Sequence, residues 1–152
     1  KNIKLNIGAK ELIKTMNSNG ATTVLISGGF TFLTNYLKDF LGFHYSHANI
    51  LKIEKAIDGS SIISGKVEYP ILDKNAKGKF LENYVENLNI NFDDALCVGD
   101  GANDIEMIKK SGLGVSYNGK DILNNAANVK FKYTNLKGLL YVQGISDKEI
   151  IT

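Results

Sequence analysis

Two carboxylates and an amide fall within five residues at Asp100-Gly-Ala-Asn-Asp104, directly after the apolar run Ala95-Leu-Cys-Val98. Oxygen donors at this density suit a hard cation. Mg²⁺ typically takes one or two carboxylates and keeps waters and a phosphate oxygen. An EF-hand does not fit, because its third position would be Ala102, no Gly follows at the sixth, and no twelve-residue acidic loop completes it. The plainer alternative is an acidic helix start favoured by the macrodipole. That alternative leaves Gly99 and Gly101, on either side of Asp100, without a reason.

A second candidate is Ser27-Gly28-Gly29-Phe30, after the β-branched run Thr22-Thr-Val-Leu-Ile26. Glycines let backbone approach a ligand closely, a following helix start offers unpaired N–H groups to an anion, and the hydroxyl adds a donor. An ordinary strand-to-helix turn with Ser as the N-cap reads equally well from these residues alone. Lys74, Lys77 and Lys79 could be solvated surface charges, and spacing does not separate them. Cys97 reads as a packed strand residue, and His44 and His47, with no partner motif, as structural.

The elements that must position these groups alternate in type. Helices are expected over 9–16, 30–41, 77–88, about 103–111, 121–126 and 135–143. Strands are expected over 22–26, 43–54, 95–98, 112–116 and 128–131. Phe30, Leu33, Leu37 and Phe40 or Leu41 would face inward on the second helix, and Phe80, Leu81, Tyr84, Val85 and Leu88 on the third. Asp58-Gly59 between two alternating runs predicts a hairpin whose returning arm is Ser61–Tyr69. Alternating strands and helices imply an α/β fold, a parallel sheet with helices on both faces. Ligands of open α/β sheets bind beyond the carboxyl ends of the strands, so Ser27–Gly29 and Asp100–Asp104 are expected at one crevice.

The 152 residues, 43% hydrophobic and 22% charged, fit a single domain. One Cys excludes a disulfide framework or a Cys-rich zinc site. No run approaches the ~20 apolar residues of a membrane span, and KNIKLNIGAK lacks a signal-peptide core, so a cytoplasmic protein without membrane attachment is expected. The net charge is +2 and all 18 basic residues are Lys. Without Arg, the usual fork for phosphate and guanine edges, nucleic acid is not an expected partner. Any phosphate site must use Lys, backbone N–H groups, hydroxyls or metal.

Taken in order, Val24-Leu-Ile-Ser-Gly-Gly-Phe30, Ala48-Asn-Ile-Leu51, Asp58-Gly59 with Gly65, Ile71-Leu-Asp73 with Lys77, Val98-Gly-Asp-Gly-Ala-Asn-Asp104 with Met107, and Gly112-Leu-Gly-Val115 closely resemble the phosphoserine phosphatase family of the haloacid dehalogenase superfamily. The likeness covers nearly the whole chain. It implies a haloacid dehalogenase-like Rossmannoid core over 1–152, with a small β-hairpin. It also implies a Mg²⁺-dependent phosphomonoester hydrolase acting on a small phosphorylated metabolite, O-phosphoserine first, through an aspartyl-phosphate. Ser27 matches the serine that holds the transferring phosphoryl group, with Gly28 giving a backbone N–H. Lys77 matches the lysine that neutralises phosphate charge, and Asp100 the Mg²⁺ ligand. Asn103 matches a residue near the substrate, and Asp104 one that supports the metal and lysine.

One departure is large. The family's first motif, Asp-x-Asp-x-Thr, carries the nucleophile, and these 152 residues contain no Asp-x-Asp; Asp93-Asp94 is adjacent and precedes a strand. In the family that motif ends a central strand between those matching 22–26 and 95–98, and a helical cap that recognises the substrate follows it. The expectation is therefore that the central strand and cap are missing from this chain, and that a preceding segment or complementing strand fills the gap. Two alternatives remain: a related phosphatase or phosphotransferase with another phosphorylated substrate, or an inactive phosphate- or metal-binding fragment.

Overall fold

The computed structural model describes residues 3–73 and 75–152, and the described chain divides into two compact units. Lys74 lies outside the described residues.

The first unit holds residues up to Ile71 and returns for Asn135–Thr152. It begins with α1 (Ala9–Ser18), whose stripe of Ala9, Ile13 and Thr15 is buried. Strand β1 (Val24–Phe30) pairs in parallel with β2 (Tyr45–Asn49), joined through α2 (Thr31–Leu41). His44 ties the entry of both strands, its Nδ1 accepting the Thr23 N–H at 3.1 Å. A hairpin of β3 (Leu51–Lys55) and β4 (Ser61–Val67) follows, turning at Asp58-Gly59. Helix α6 (Gly138–Tyr141) buries Leu139 and Leu140 completely. The C-terminal segment is stitched to α1 by the Ile151 N–H, which donates to Thr15 Oγ1 at 2.9 Å.

The second unit, Leu72–Thr134, is a three-stranded parallel sheet in the order β5 (Leu96–Gly99), β6 (Leu113–Tyr117), β7 (Val129–Phe131). Helix α3 (Ala76–Leu88) packs against α4 (Ile105–Lys110), and α4 lies on β5 and β6. The short α5 (Asp121–Asn124) precedes β7. Leu81, Val85, Cys97, Met107, Ile108 and Leu123 form the core. Each parallel sheet ends on an edge strand, β1 in one and β5 in the other, with no second neighbour among the described residues.

Four expectations need correction. The stretch 43–54 is two strands, not one. It breaks at Ile50, and its halves join different sheets, one parallel and one antiparallel. Strand β1 does not stop at Ile26 but continues through the glycines to Phe30. Ile26 lies opposite His47 and Phe30 opposite Asn49, so five residues of β1 span three of β2 in a bulge. On α2 the inward residue is Thr34, while Phe32, Leu33, Tyr36 and Phe40 are exposed. That helix is apolar on more than one side, so a 3.6-residue period does not single out the face that meets the strands. Leu88, expected inside, is exposed at the end of α3.

Two outcomes follow from the packing of the second unit. A Cβ on Gly112 would overlap the Asp93 backbone, which cannot swing aside as a side chain would. Gly112→Ala should therefore lower unfolding stability by about 1–3 kcal/mol in urea titration, the usual cost of overpacking. Burial pushes the Cys97 thiol up to about 11. Native protein at pH 8 should accordingly resist a thiol reagent, and react fully once unfolded.

Candidate functional site

The best-defined polar cluster lies in the second unit, where β5 ends. Asp104 is 1% exposed, and both of its carboxylate oxygens are occupied. Oδ1 pairs with Lys77 Nζ at 2.5 Å. Oδ2 accepts the N–H groups of Asp100 and Gly101, each at 3.0 Å. The carboxylate thus turns back into the loop instead of capping α4, although Asp104 occupies the N-cap position of that helix.

The two glycines that the acidic-helix alternative left unexplained now have causes. A Cβ at Gly99 would occupy the space of the Asp104 side chain, and one at Gly101 would strike Asn103 Oδ1. Gly78 plays a similar part on α3. A Cβ there would stand 3.1 Å from Glu106 Cβ, so the glycine lets α3 come close to α4 beside the loop. Lys77, in the first turn of α3, has a side chain only 14% exposed. A cation at a helix N-terminus opposes the macrodipole. The Asp104 carboxylate offsets that cost.

Asp100 and Asn103 differ from Asp104 in being exposed. The Asp100 carbonyl accepts the Lys120 N–H at 3.1 Å, which fixes the backbone while leaving the carboxylate outside. Behind Lys120, Asn124 accepts from Ser116 Oγ at 2.7 Å and donates to the Gly119 carbonyl at 3.0 Å. Sequence reasoning missed this bracing; its only signal was a polar Ser at the end of an apolar strand. Among the described residues no three His, Cys, Asp or Glu converge as a metal-ligand group. The donor set fits Mg²⁺ in a limited way: Asp100 offers one hard carboxylate, and Asp104 has no oxygen to spare.

Ser27 and Gly28 belong to the first unit, in the β1 bulge. Ser27 Oγ accepts the Gly29 N–H at 3.0 Å, so its own proton remains available to donate. Gly28 is exposed, and its carbonyl accepts from the buried Asn49 side chain at 2.9 Å. Asn49 and Ser27 therefore hold the two ends of one peptide, the one between Gly28 and Gly29. Lys77, Asp100, Asn103 and Asp104 gather within one loop and helix pair; Ser27, Gly28 and Asn49 form a separate polar group in the other unit. Lys79 is exposed.

The haloacid dehalogenase-like hydrolase profile matches residues 33–142. The phosphoserine phosphatase of Archaeoglobus fulgidus is 36% identical over 140 residues, 92% of this chain and 39% of that protein. The phosphoserine phosphatase of Methanocaldococcus jannaschii is 39% identical over 133 residues, 88% of this chain and 61% of that protein. The present chain thus spans less than two thirds of either relative. Among solved structures, phosphoserine phosphatase in apo form superposes with a TM-score of 0.82 at 38% identity, covering 95% of this chain and 68% of that one. A phospho-aspartyl intermediate analogue of phosphoserine phosphatase gives 0.81 at 37%, covering 94% and 65%. Sequence profile, relatives and backbone agree, and this chain belongs to the haloacid dehalogenase-like hydrolase family.

Proposed function

We propose that this chain supplies the phosphate- and metal-binding part of a Mg²⁺-dependent phosphomonoester hydrolase whose substrate is O-phosphoserine. The observation that carries the proposal is the buried Lys77–Asp104 pair, held by two backbone N–H groups beside the exposed carboxylate of Asp100. The substrate is drawn from relatives that are phosphoserine phosphatases at 36–39% identity. We treat residues 1–152 as one core domain of such an enzyme, acting in the cytoplasm.

Phosphoryl transfer asks a protein chiefly for positioning and for charge where charge develops. Lys77, fixed by Asp104, puts a cation against the phosphate oxygens. Ser27 donates its hydroxyl proton to a phosphoryl oxygen, and the Gly28 N–H donates to the same group. Asn103 orients the substrate. Asp100 would hold Mg²⁺, which neutralises phosphate charge when bound. An enzyme of this kind attacks phosphorus with a carboxylate, and no Asp-x-Asp occurs in the 152 residues. The attacking group then comes from a preceding segment or a complementing strand. Among the described residues β1 and β5 each keep one edge without a neighbour, and such edges are suited to receive added backbone.

Phosphate release from O-phosphoserine, measured against a panel of other phosphomonoesters in the protein joined to an Asp-x-Asp-x-Thr segment, tests the proposal. Preference for O-phosphoserine supports it. Preference for another ester assigns a related phosphatase, and no release from any ester leaves a binding fragment. Chelation by EDTA should abolish turnover, and added Mg²⁺ should restore it. In the active protein, Lys77→Ala should lower kcat/KM by roughly 10²–10³-fold, the usual loss for one charge-stabilising donor. Lys79→Ala should stay within about twofold, as expected of an exposed side chain away from the pair. Equal losses would remove Lys77 from its assigned role. Asp100→Asn should abolish Mg²⁺-dependent turnover, and a wild-type rate would exclude it as the metal ligand.

A further inference from the structure

The hairpin in the first unit is a two-stranded sheet with an apolar stripe in the open. Ile53 and Ile63 lie opposite each other, each 64% exposed. Two-stranded ribbons are marginal in water unless something extends or covers them. Natural proteins guard such edges with charge, especially Lys. The pattern on β3, Leu51-Lys52-Ile53-Glu54-Lys55, guards poorly against one partner, because its charges are complementary to themselves.

The hydrogen-bonding register gives the edge its direction. The Ala56 N–H donates to the Ser60 carbonyl at 2.9 Å, closing a hydrogen-bonded pair at the turn. Pairs alternate along an antiparallel ladder. Glu54 opposite Ile62 is then a bonded pair, while Ile53 and Lys55, opposite Ile63 and Ser61, turn their N–H and C=O groups to the outer edge. A second β3 running antiparallel and centred on Ile53 meets those groups in register. Ile53 would face Ile53, and Leu51 would face Lys55. Lys52 would face Glu54 of the other copy, twice by symmetry. Lys52 and Glu54 are both exposed and share one face, where they stand 3.7 Å apart within the strand. Lys55 does not oppose the approach, since its Nζ is engaged by Ser61 Oγ at 3.2 Å in its own hairpin.

We propose that β3 pairs with β3 of a second copy of this chain across a two-fold axis at Ile53, forming a four-stranded antiparallel sheet in the order β4-β3-β3-β4. Ile63 and Ile53 of both copies would make one continuous apolar row, and two Lys52–Glu54 pairs would flank the axis on the opposite face. The surface is small, so the association is weak and concentration-dependent. The proposal is independent of the catalytic role.

Sedimentation equilibrium of the intact protein at concentrations up to about 1 mM tests it. A monomer–dimer equilibrium is expected. Lys52→Glu and Glu54→Lys should each weaken association at least ~10-fold alone, because like charges then face each other. An equimolar mixture of the two variants should regain wild-type association, since each like-charged strand then faces its opposite. Ile53→Pro removes the outward N–H at the axis and spares the inner ladder, so it should leave a monomer with an unchanged circular dichroism spectrum. A wild-type monomer at every concentration overturns the proposal. So do single charge variants that associate like wild type, or a mixture that stays monomeric.

Discussion

One carboxylate organises the loop at the end of β5. Asp104 draws three donors: the Lys77 ammonium from α3 and two consecutive N–H groups from its own turn. A buried charge is tolerated only when its lone pairs are met, and removing one partner of such a pair typically costs about 3–5 kcal/mol. The demand spreads outward from there. Gly99 must lack a Cβ, Gly78 must let α3 come near α4, and Lys77 must sit in the first turn of its helix. Three donors already occupy the two Asp104 oxygens, whereas Asp100 is exposed. Two acidic residues four positions apart thus come to differ through their surroundings alone.

Glycine serves differently in the first unit. The Ser27–Phe30 segment keeps strand geometry but bulges, and the peptide joining Gly28 to Gly29 is held at both ends, its N–H by Ser27 Oγ and its C=O by the Asn49 side chain. The result is an oriented peptide with little side chain around it. In a chain without Arg, a phosphate can be gripped only by Lys, backbone N–H groups, hydroxyls or a metal.

Much of this could be read from residue order. The spacing of Asp100, Asn103 and Asp104 between an apolar run and a helix marked the loop, and the β-branched run before Ser27 marked the strand. What could not be read is instructive. Nothing local separates Lys77 from Lys79; the choice depends on which one an approaching α4 and Asp104 can reach. Nothing local tells Asp100 from Asp104 either, because their difference is burial. The extension of β1 through two glycines was hidden by their low strand preference, which pairing with β2 overrides. The break at Ile50 was hidden because both halves are apolar enough for strands, and only the choice of partners divides them.

Local rules are otherwise well kept. Helix α2 ends on a left-handed Gly42, α3 ends on a left-handed Asn89, and the hairpin turns on a left-handed Gly59. Three departures meet in one place: a cation at the positive end of a helix, glycines at the end of a strand, and a carboxylate in the interior. Each touches Asp104. A buried ion pair adds little net stability compared with apolar side chains of the same size. A cluster of locally unfavourable choices around such a pair therefore has no sufficient cause in folding. A lysine pinned in place by that carboxylate is a preset positive charge, the kind of donor that the proposed phosphoryl-transfer role asks for.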